Sequence, residues 1–178
     1  MRRIILATIF IAGCSESIGV EPVKNSAIEC TFQFSAEPAC TYSLDKSSVN
    51  VSIATKKLAD DEIALNTVNV TFDGKHHVLD ISPDVSMIKG DIGTISFADI
   101  NFDNIPDIAV STSFGVANQY FDYWVYDQKI KGYRSIGNYP KLNPNPADKT
   151  LSASVKQSAA AYQKLKYSWD GGKLMQRK

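Results

Sequence analysis

The sequence predicts an all-β domain of short antiparallel strands, and three observations carry that prediction. Residues with β-branched or aromatic side chains gather in short alternating runs, turn chemistry stands between the runs, and no segment holds a helical period for long. Many short strands with turns between them make a sandwich, a barrel or a propeller. The 178 residues are 44% hydrophobic, enough for one domain with its own core.

Taken in order, the strands are expected at Ile28 to Phe34, Val49 to Thr55, Thr67 to Phe72, His77 to Ile81, Thr94 to Ala98, Ile108 to Ser113, Phe121 to Tyr126, Thr150 to Val155 and Tyr162 to Trp169. Asp73-Gly74, Ser82-Pro83-Asp84, Lys89-Gly90, Asn138-Tyr139-Pro140, the Asn143-Pro-Asn-Pro146 run and Asp170-Gly171-Gly172 are the turns. One short helix has two candidate places, Lys56 to Leu65 or Ser158 to Lys166, both weakly periodic. No exact internal repeat and no low-complexity segment is seen.

Ahead of the strands, Arg2 and Arg3 precede an apolar run from Ile4 to Ala12 that is too short to span a bilayer and fits an export signal. Ile11-Ala12-Gly13-Cys14 follows. This tetrad resembles the lipobox of bacterial lipoproteins, which implies a signal peptide over residues 1–13 and lipidation of Cys14 as the first mature residue. The alternatives are a core helix that ends in Cys and a signal cleaved elsewhere. Ser15 after the Cys implies, in that pattern, the periplasmic face of the outer membrane of a Gram-negative bacterium. The acyl chains would be the chain's contact with the membrane. Residues 14–26, rich in Ser, Glu and Asn, read as a flexible tether, and residues 27–178 as the β domain.

Charge excludes some partners. The chain has 19 basic and 19 acidic residues; loss of Arg2 and Arg3 leaves a small acidic excess, which suits neither nucleic-acid binding nor a basic membrane-surface helix. With Cys14 spent on lipid, Cys30 and Cys40 remain. In an exported chain they pair as a disulfide closing a short loop. A two-thiol metal site is the weaker alternative, because the two His residues are neighbours at 76 and 77.

The densest chemical signal is Asp99, Asn101, Asp103, Asn104 and Asp107. Oxygen side chains at relative positions 1, 3, 5 and 9 can wrap a hard divalent cation, so Asp99, Asn101, Asp103, the carbonyl of Ile105 and, directly or through water, Asp107 are the expected ligands of a Ca²⁺ ion. Asn104 stands where the loop must turn with φ > 0. No Glu supplies the bidentate twelfth ligand of an EF-hand, and β-branched runs flank the loop, so it joins strands. An ordinary Asx-rich turn favours the same residues without a metal; three carboxylates on one turn repel each other and favour the cation.

Beyond the loop, alternation sets Phe121, Tyr123 and Val125 on one strand face and Asp122, Trp124 and Tyr126 on the other. Between Lys89 and Lys129 no Lys or Arg occurs, while Asp91, Asp99, Asp103, Asp107, Asp122 and Asp127 do. An acidic, aromatic stretch suits an interface for a basic protein. Catalysis is disfavoured by inventory: every Glu lies at or before Glu62, and there is no nucleophile elbow, zinc-type His spacing or phosphate loop. The expectation is a protein that is not an enzyme.

The run Ala98-Asp-Ile-Asn-Phe-Asp-Asn-Ile-Pro-Asp-Ile-Ala-Val110, with Gly115, Asn118, Tyr120 and Asp122-Tyr-Trp-Val-Tyr-Asp127, resembles the small calcium-binding β-propeller proteins of bacterial envelopes. That group includes periplasmic lysozyme inhibitors of the invertebrate-type class and lipoprotein immunity factors against peptidoglycan hydrolases. Thr150-Leu-Ser-Ala-Ser154 and Tyr167-Ser-Trp-Asp-Gly-Gly-Lys-Leu174 are similar to its last hairpins. The similarity covers residues 94 to 176 well and the first half in outline. It implies a propeller of about five blades, with a β-sandwich as the alternative, and a monomer that blocks the cleft of a lysozyme-like peptidoglycan hydrolase. It also implies partner contacts at Ser113, Gly115, Asn118, Tyr120 and Asp122. The group's compact Ser-Gly-x-x-Tyr loop is absent, since Phe114 intervenes and Tyr120 lies five residues past Gly115. A non-inhibitory envelope scaffold on the same calcium-braced platform is the rival reading.

Overall fold

The computed structural model describes residues 27–34, 37–44 and 47–177. The export signal, Cys14 and the tether lie outside the described residues. Among the described residues the chain is all β, with no helix. Its strands are β1 (Ile28–Gln33), β2 (Ala39–Ser43), β3 (Ser48–Lys57), β4 (Glu62–Phe72), β5 (Lys75–Asp80), β6 (Ser86–Ile88), β7 (Ile92–Ala98), β8 (Asp107–Ser111), β9 (Tyr120–Asp127), β10 (Gly132–Pro140), β11 (Asn143–Asn145), β12 (Thr150–Lys156), β13 (Tyr162–Asp170) and β14 (Lys173–Arg177).

These strands form three antiparallel sheets, none of them closed. One runs β2-β3-β4-β5, with β6 continuing the β5 edge against the start of β4. A second runs β1-β7-β8-β9-β10, and the third β11-β12-β13-β14. The second sheet is central. One of its faces contributes Phe32, Ile95, Phe97, Ile108, Val110, Trp124 and Tyr133 to a core shared with β3 and β4. Its other face places Ala109, Phe121, Tyr123 and Val125 against Leu151, Ala153, Tyr167 and Leu174 of the third sheet. Sheets stacked on both faces of a central one fit a β-sandwich-like arrangement with a third layer; a closed propeller is not what these sheets show.

The alternation expected in β9 explains the two cores. Phe121, Tyr123 and Val125 face one way and Trp124 the other, both faces carry buried residues, and every residue of β8 is buried. Both helix candidates are strand and turn. Lys56 and Lys57 pair with Ala64 and Ile63 across a turn in which Glu62 O accepts bonds from Leu58 N and Ala59 N, and Tyr162 onward pairs with β12. Neither stretch has a continuous apolar helical face to bury, whereas strand pairing satisfies its backbone.

The disulfide forms as expected. Cys30 of β1 is bonded to Cys40 of β2, ten residues on, and so joins the central sheet to its neighbour. Elsewhere the cross-strand partner of Phe32 is Gly93, and the phenyl ring lies where a Cβ on that residue would be. Only glycine fits beneath it.

Candidate functional site

The acidic loop links β7 to β8 and is organised by its own carboxylates. Asp99 accepts from Asp103 N through Oδ1 (3.0 Å) and from Asn104 N through Oδ2 (2.8 Å). Asn101 Oδ1 accepts from Asp103 N (3.1 Å), and Asp103 Oδ1 from Ile105 N (2.9 Å). These Asx bonds wind the backbone inward, and Asn104 takes the positive φ of 66° that its position demanded. Phe102 also has positive φ, at 63°, which its bulky side chain gave no reason to expect; it packs against the second core.

Asp107 differs from the rest. It is 2% exposed. Its Oδ2 accepts from Ile100 N (2.9 Å) and Asn101 N (3.2 Å), and its Oδ1 from Tyr126 N (2.8 Å). A carboxylate oxygen has two lone pairs, so Oδ2 is filled and Asp107 ties the loop to β9. Expected as a ligand directly or through water, its carboxylate is occupied here as a backbone brace, with one lone pair of Oδ1 left over. Burial pushes its carboxyl well above the ordinary carboxylate range against the pull of the Tyr126 and Ile100 N–H groups, and Asp103 and Asp99 push the same way. Burial also raises Asp103, with Asp99 adding to it. Like charges thus sit together with no cationic side chain among the causes. Among the described residues no three carboxylate, imidazole or thiol groups converge to hold a metal. A Ca²⁺ ion here would therefore draw on Asp99 and Asp103 together with the Asn101 amide and the Ile105 carbonyl. That oxygen-only set, whose two carboxylates are in no ion pair among the described residues, fits a hard cation.

The loop from Ser113 to Tyr120 joins β8 to β9 and is fastened at both ends. Ser113 Oγ donates to Asn118 O (3.1 Å) and accepts from Tyr120 N (2.8 Å). The Asn118 amide grips the backbone of Lys156, donating to its carbonyl (3.1 Å) and accepting from its N–H (2.7 Å). Gly115, with φ 62°, Val116 and Ala117 form the exposed tip, while Phe114 packs back onto the first core. Tyr120 is half-buried at the start of β9. Asp122 is not at this surface. It is 4% exposed, and its carboxylate accepts from Ser82 N, Ser82 Oγ and Asn138 Nδ2 (2.5, 2.7 and 2.8 Å).

Spatially, the two loops are at opposite ends of β8. Four residue steps separate Asp107 from Ser111, about 13 Å of strand. The acidic stretch therefore does not form one patch. Asp91 lies beneath Gly115, Asp122 is internal, and Asp99, Asp103, Asp107 and Asp127 belong to the far end.

Two concavities adjoin the acidic loop. A crevice of about 390 Å³ is bounded by Ser96, Ala98, Ala109, Tyr123 and Leu142, and the ion pair of Glu29 with Lys141 (2.7 Å) belongs to the same region. A shallower one of about 510 Å³ lies among Asn101, Asp103, Tyr126, Asp127, Arg134 and Trp169. Trp169 was read only as a strand residue; its indole N–H donates to Ile100 O (2.6 Å) and pins the third sheet to the loop. No sequence signal marked that bond. No family model matches the chain, and neither the curated proteins nor the solved structures provide a match.

Proposed function

We propose that this chain is a lipid-anchored envelope protein that binds a lysozyme-like peptidoglycan hydrolase and inhibits it by occluding its cleft. The observation that carries the reading is the Ser113 to Tyr120 loop. Its tip projects small and apolar residues while Ser113 and Asn118 hold its base by four hydrogen bonds to backbone groups. A loop ordered before contact loses little entropy on entering a cleft. Contact falls to Ser113, Gly115, Asn118 and Tyr120 and their neighbour Val116, with Asp122 supporting from inside.

Calcium, held by Asp99, Asn101, Asp103 and the Ile105 carbonyl, belongs to the same proposal as a stabiliser. Standing a strand's length from the loop, it acts on the fold and does not touch the enzyme. Each sheet contains a four-stranded up-and-down meander, the unit from which propellers are built; the family resemblance in the sequence proposes that finer relationship. Cys14 would place the domain at the outer membrane, facing the periplasm.

The experiment is an inhibition titration of the chain against a panel of lysozymes and secreted peptidoglycan hydrolases. Stoichiometric loss of muropeptide release from one of them supports the reading. Full activity across the panel, with a structural envelope protein recovered by pull-down, would instead favour the scaffold role.

A further inference from the structure

We propose that the outer face of the third sheet is a docking surface for an anionic lipid bilayer. This face is created by register. Cross-strand pairing sets Ser152 opposite Lys166, Ser154 opposite Lys164 and Lys156 opposite Tyr162, then Lys166 opposite Arg177 and Asp170 opposite Lys173. Leu151, Ala153, Val155, Tyr167 and Leu174 point the other way and are buried. All the large apolar side chains of β12 thus turn inward, while Lys156, Lys164, Lys166, Lys173 and Arg177 share the outward face.

Cations on one face are about 5 Å apart across strands and about 7 Å apart along them. Asp170 and Asp148, the latter paired with Lys166 at 2.9 Å, are the acidic side chains beside them. The face therefore holds a positive excess although the whole chain balances 19 charges against 19. Tyr162 is 64% exposed and Met175 48% exposed on the same face. A sheet face with long cationic stems around a tyrosine and a methionine matches the headgroup layer of a bilayer, where aromatic rings and lysine stems sit at the boundary.

Each cation near an anionic membrane is worth about fivefold in partitioning. Two reversals, four charge units, therefore remove several hundredfold, about 600-fold. The inference does not rest on the hydrolase reading, and its failure would leave that reading standing.

The test is sedimentation of the full chain with vesicles of phosphatidylglycerol and phosphatidylcholine, and with phosphatidylcholine alone. Cys14→Ser is present in every protein so that no acyl chain contributes. The parent should partition to the anionic vesicles only, and release in molar salt. Lys164→Glu with Lys173→Glu should lose that binding by several hundredfold, about 600-fold, with an unchanged thermal melt. Lys56→Glu with Lys75→Glu changes net charge equally on another sheet and should bind nearly as the parent does. Equal binding to both vesicle types, or equal loss in the two double variants, would overturn the proposal. So would retention on heparin without vesicle binding, which would assign the face to a soluble polyanion.

Discussion

Replacing Asp107 by Ala should unfold the protein more easily by an amount that does not depend on calcium. The side chain is 2% exposed and accepts three backbone N–H bonds, one of them from the buried Ile100. Truncation leaves those donors without their acceptor and removes the tie between the acidic loop and β9. A lost bond to a charged acceptor costs about 1.5–3 kcal/mol. Relief of the carboxylate's own burial, and water reaching the more open Asn101, offset part of the total. A net loss of about 3–5 kcal/mol remains. For a domain of this size that lowers Tm by roughly 6–20 °C. The assay is a calorimetric or dichroism melt of parent and variant, each in calcium and in chelator. The brace predicts nearly the same drop in both media. Asp99→Ala with Asp103→Ala should behave otherwise, with a larger drop in calcium than in chelator, where only the Asx bonds are lost. An Asp107→Ala variant that melts with the parent in chelator, and falls only when calcium is present, would refute the brace and restore Asp107 as a ligand.

Three further outcomes follow from local contacts. Gly93→Ala drives a methyl into the Phe32 ring and should cost about 1–3 kcal/mol in urea unfolding, with Phe32→Leu in the same chain recovering part of it. Reduction of the Cys30–Cys40 disulfide, which spans ten residues, should cost about 3 kcal/mol, read as a drop in urea midpoint on adding reductant; no shift would mean the unfolded chain is not constrained by it. Among the described residues His77 Nε2 is buried without a hydrogen-bond partner, and its ring meets Tyr133 edge-on at 5.7 Å. Burial, then Lys75 and His76, hold its pKa below 6.5. At higher pH both states are neutral; as pH falls through 6.5 the unfolded chain binds a proton that the folded chain refuses, so stability declines from there toward the folded value. His77→Phe should flatten the urea midpoint between neutral and mildly acidic buffer, and an equally steep slope in that variant would place the dependence elsewhere.

Much of the fold could be read in the chain because its strands obey a period of two. Each expected strand is present within a few residues, since Val, Ile, Thr and aromatic residues mark the half-buried positions of β3, β4 and β12. The strands left unread carry weaker chemistry. β14 is Lys-Leu-Met-Gln-Arg, with one buried position. β10 contains Gly132 and Gly137 and shifts register between Ser135 and Gly137. β11 reads as a turn because of Pro144, which an edge strand tolerates. Which sheets stack on which was not legible, because alternation shows that a strand has two faces and not what covers each.

The candidate site divides in the same way. The Asx pattern of the acidic loop and the positive φ of Asn104 follow from local residue types. The fates of Asp107 and Asp122 depend on Tyr126, Ser82 and Asn138, partners remote in sequence whose approach only the packed sheets determine. Linear proximity also misled. The acidic stretch looked like one surface, yet β8 carries its members to opposite ends of the sheet and β9 carries Asp122 inside.

The central claim is that the fastened loop blocks a hydrolase, and inhibition stoichiometry tests it most directly. Muropeptide release by lysozyme-like enzymes is measured against rising amounts of the parent chain and of Ser113→Ala with Asn118→Ala, which frees the loop at both ends. The account predicts that the parent abolishes turnover of at least one enzyme at an equimolar ratio. The double variant, folded and with its calcium response intact, should need at least about tenfold more, since ordering the loop then opposes binding. Full turnover of every enzyme in excess parent, or equal inhibition by the variant, would contradict it.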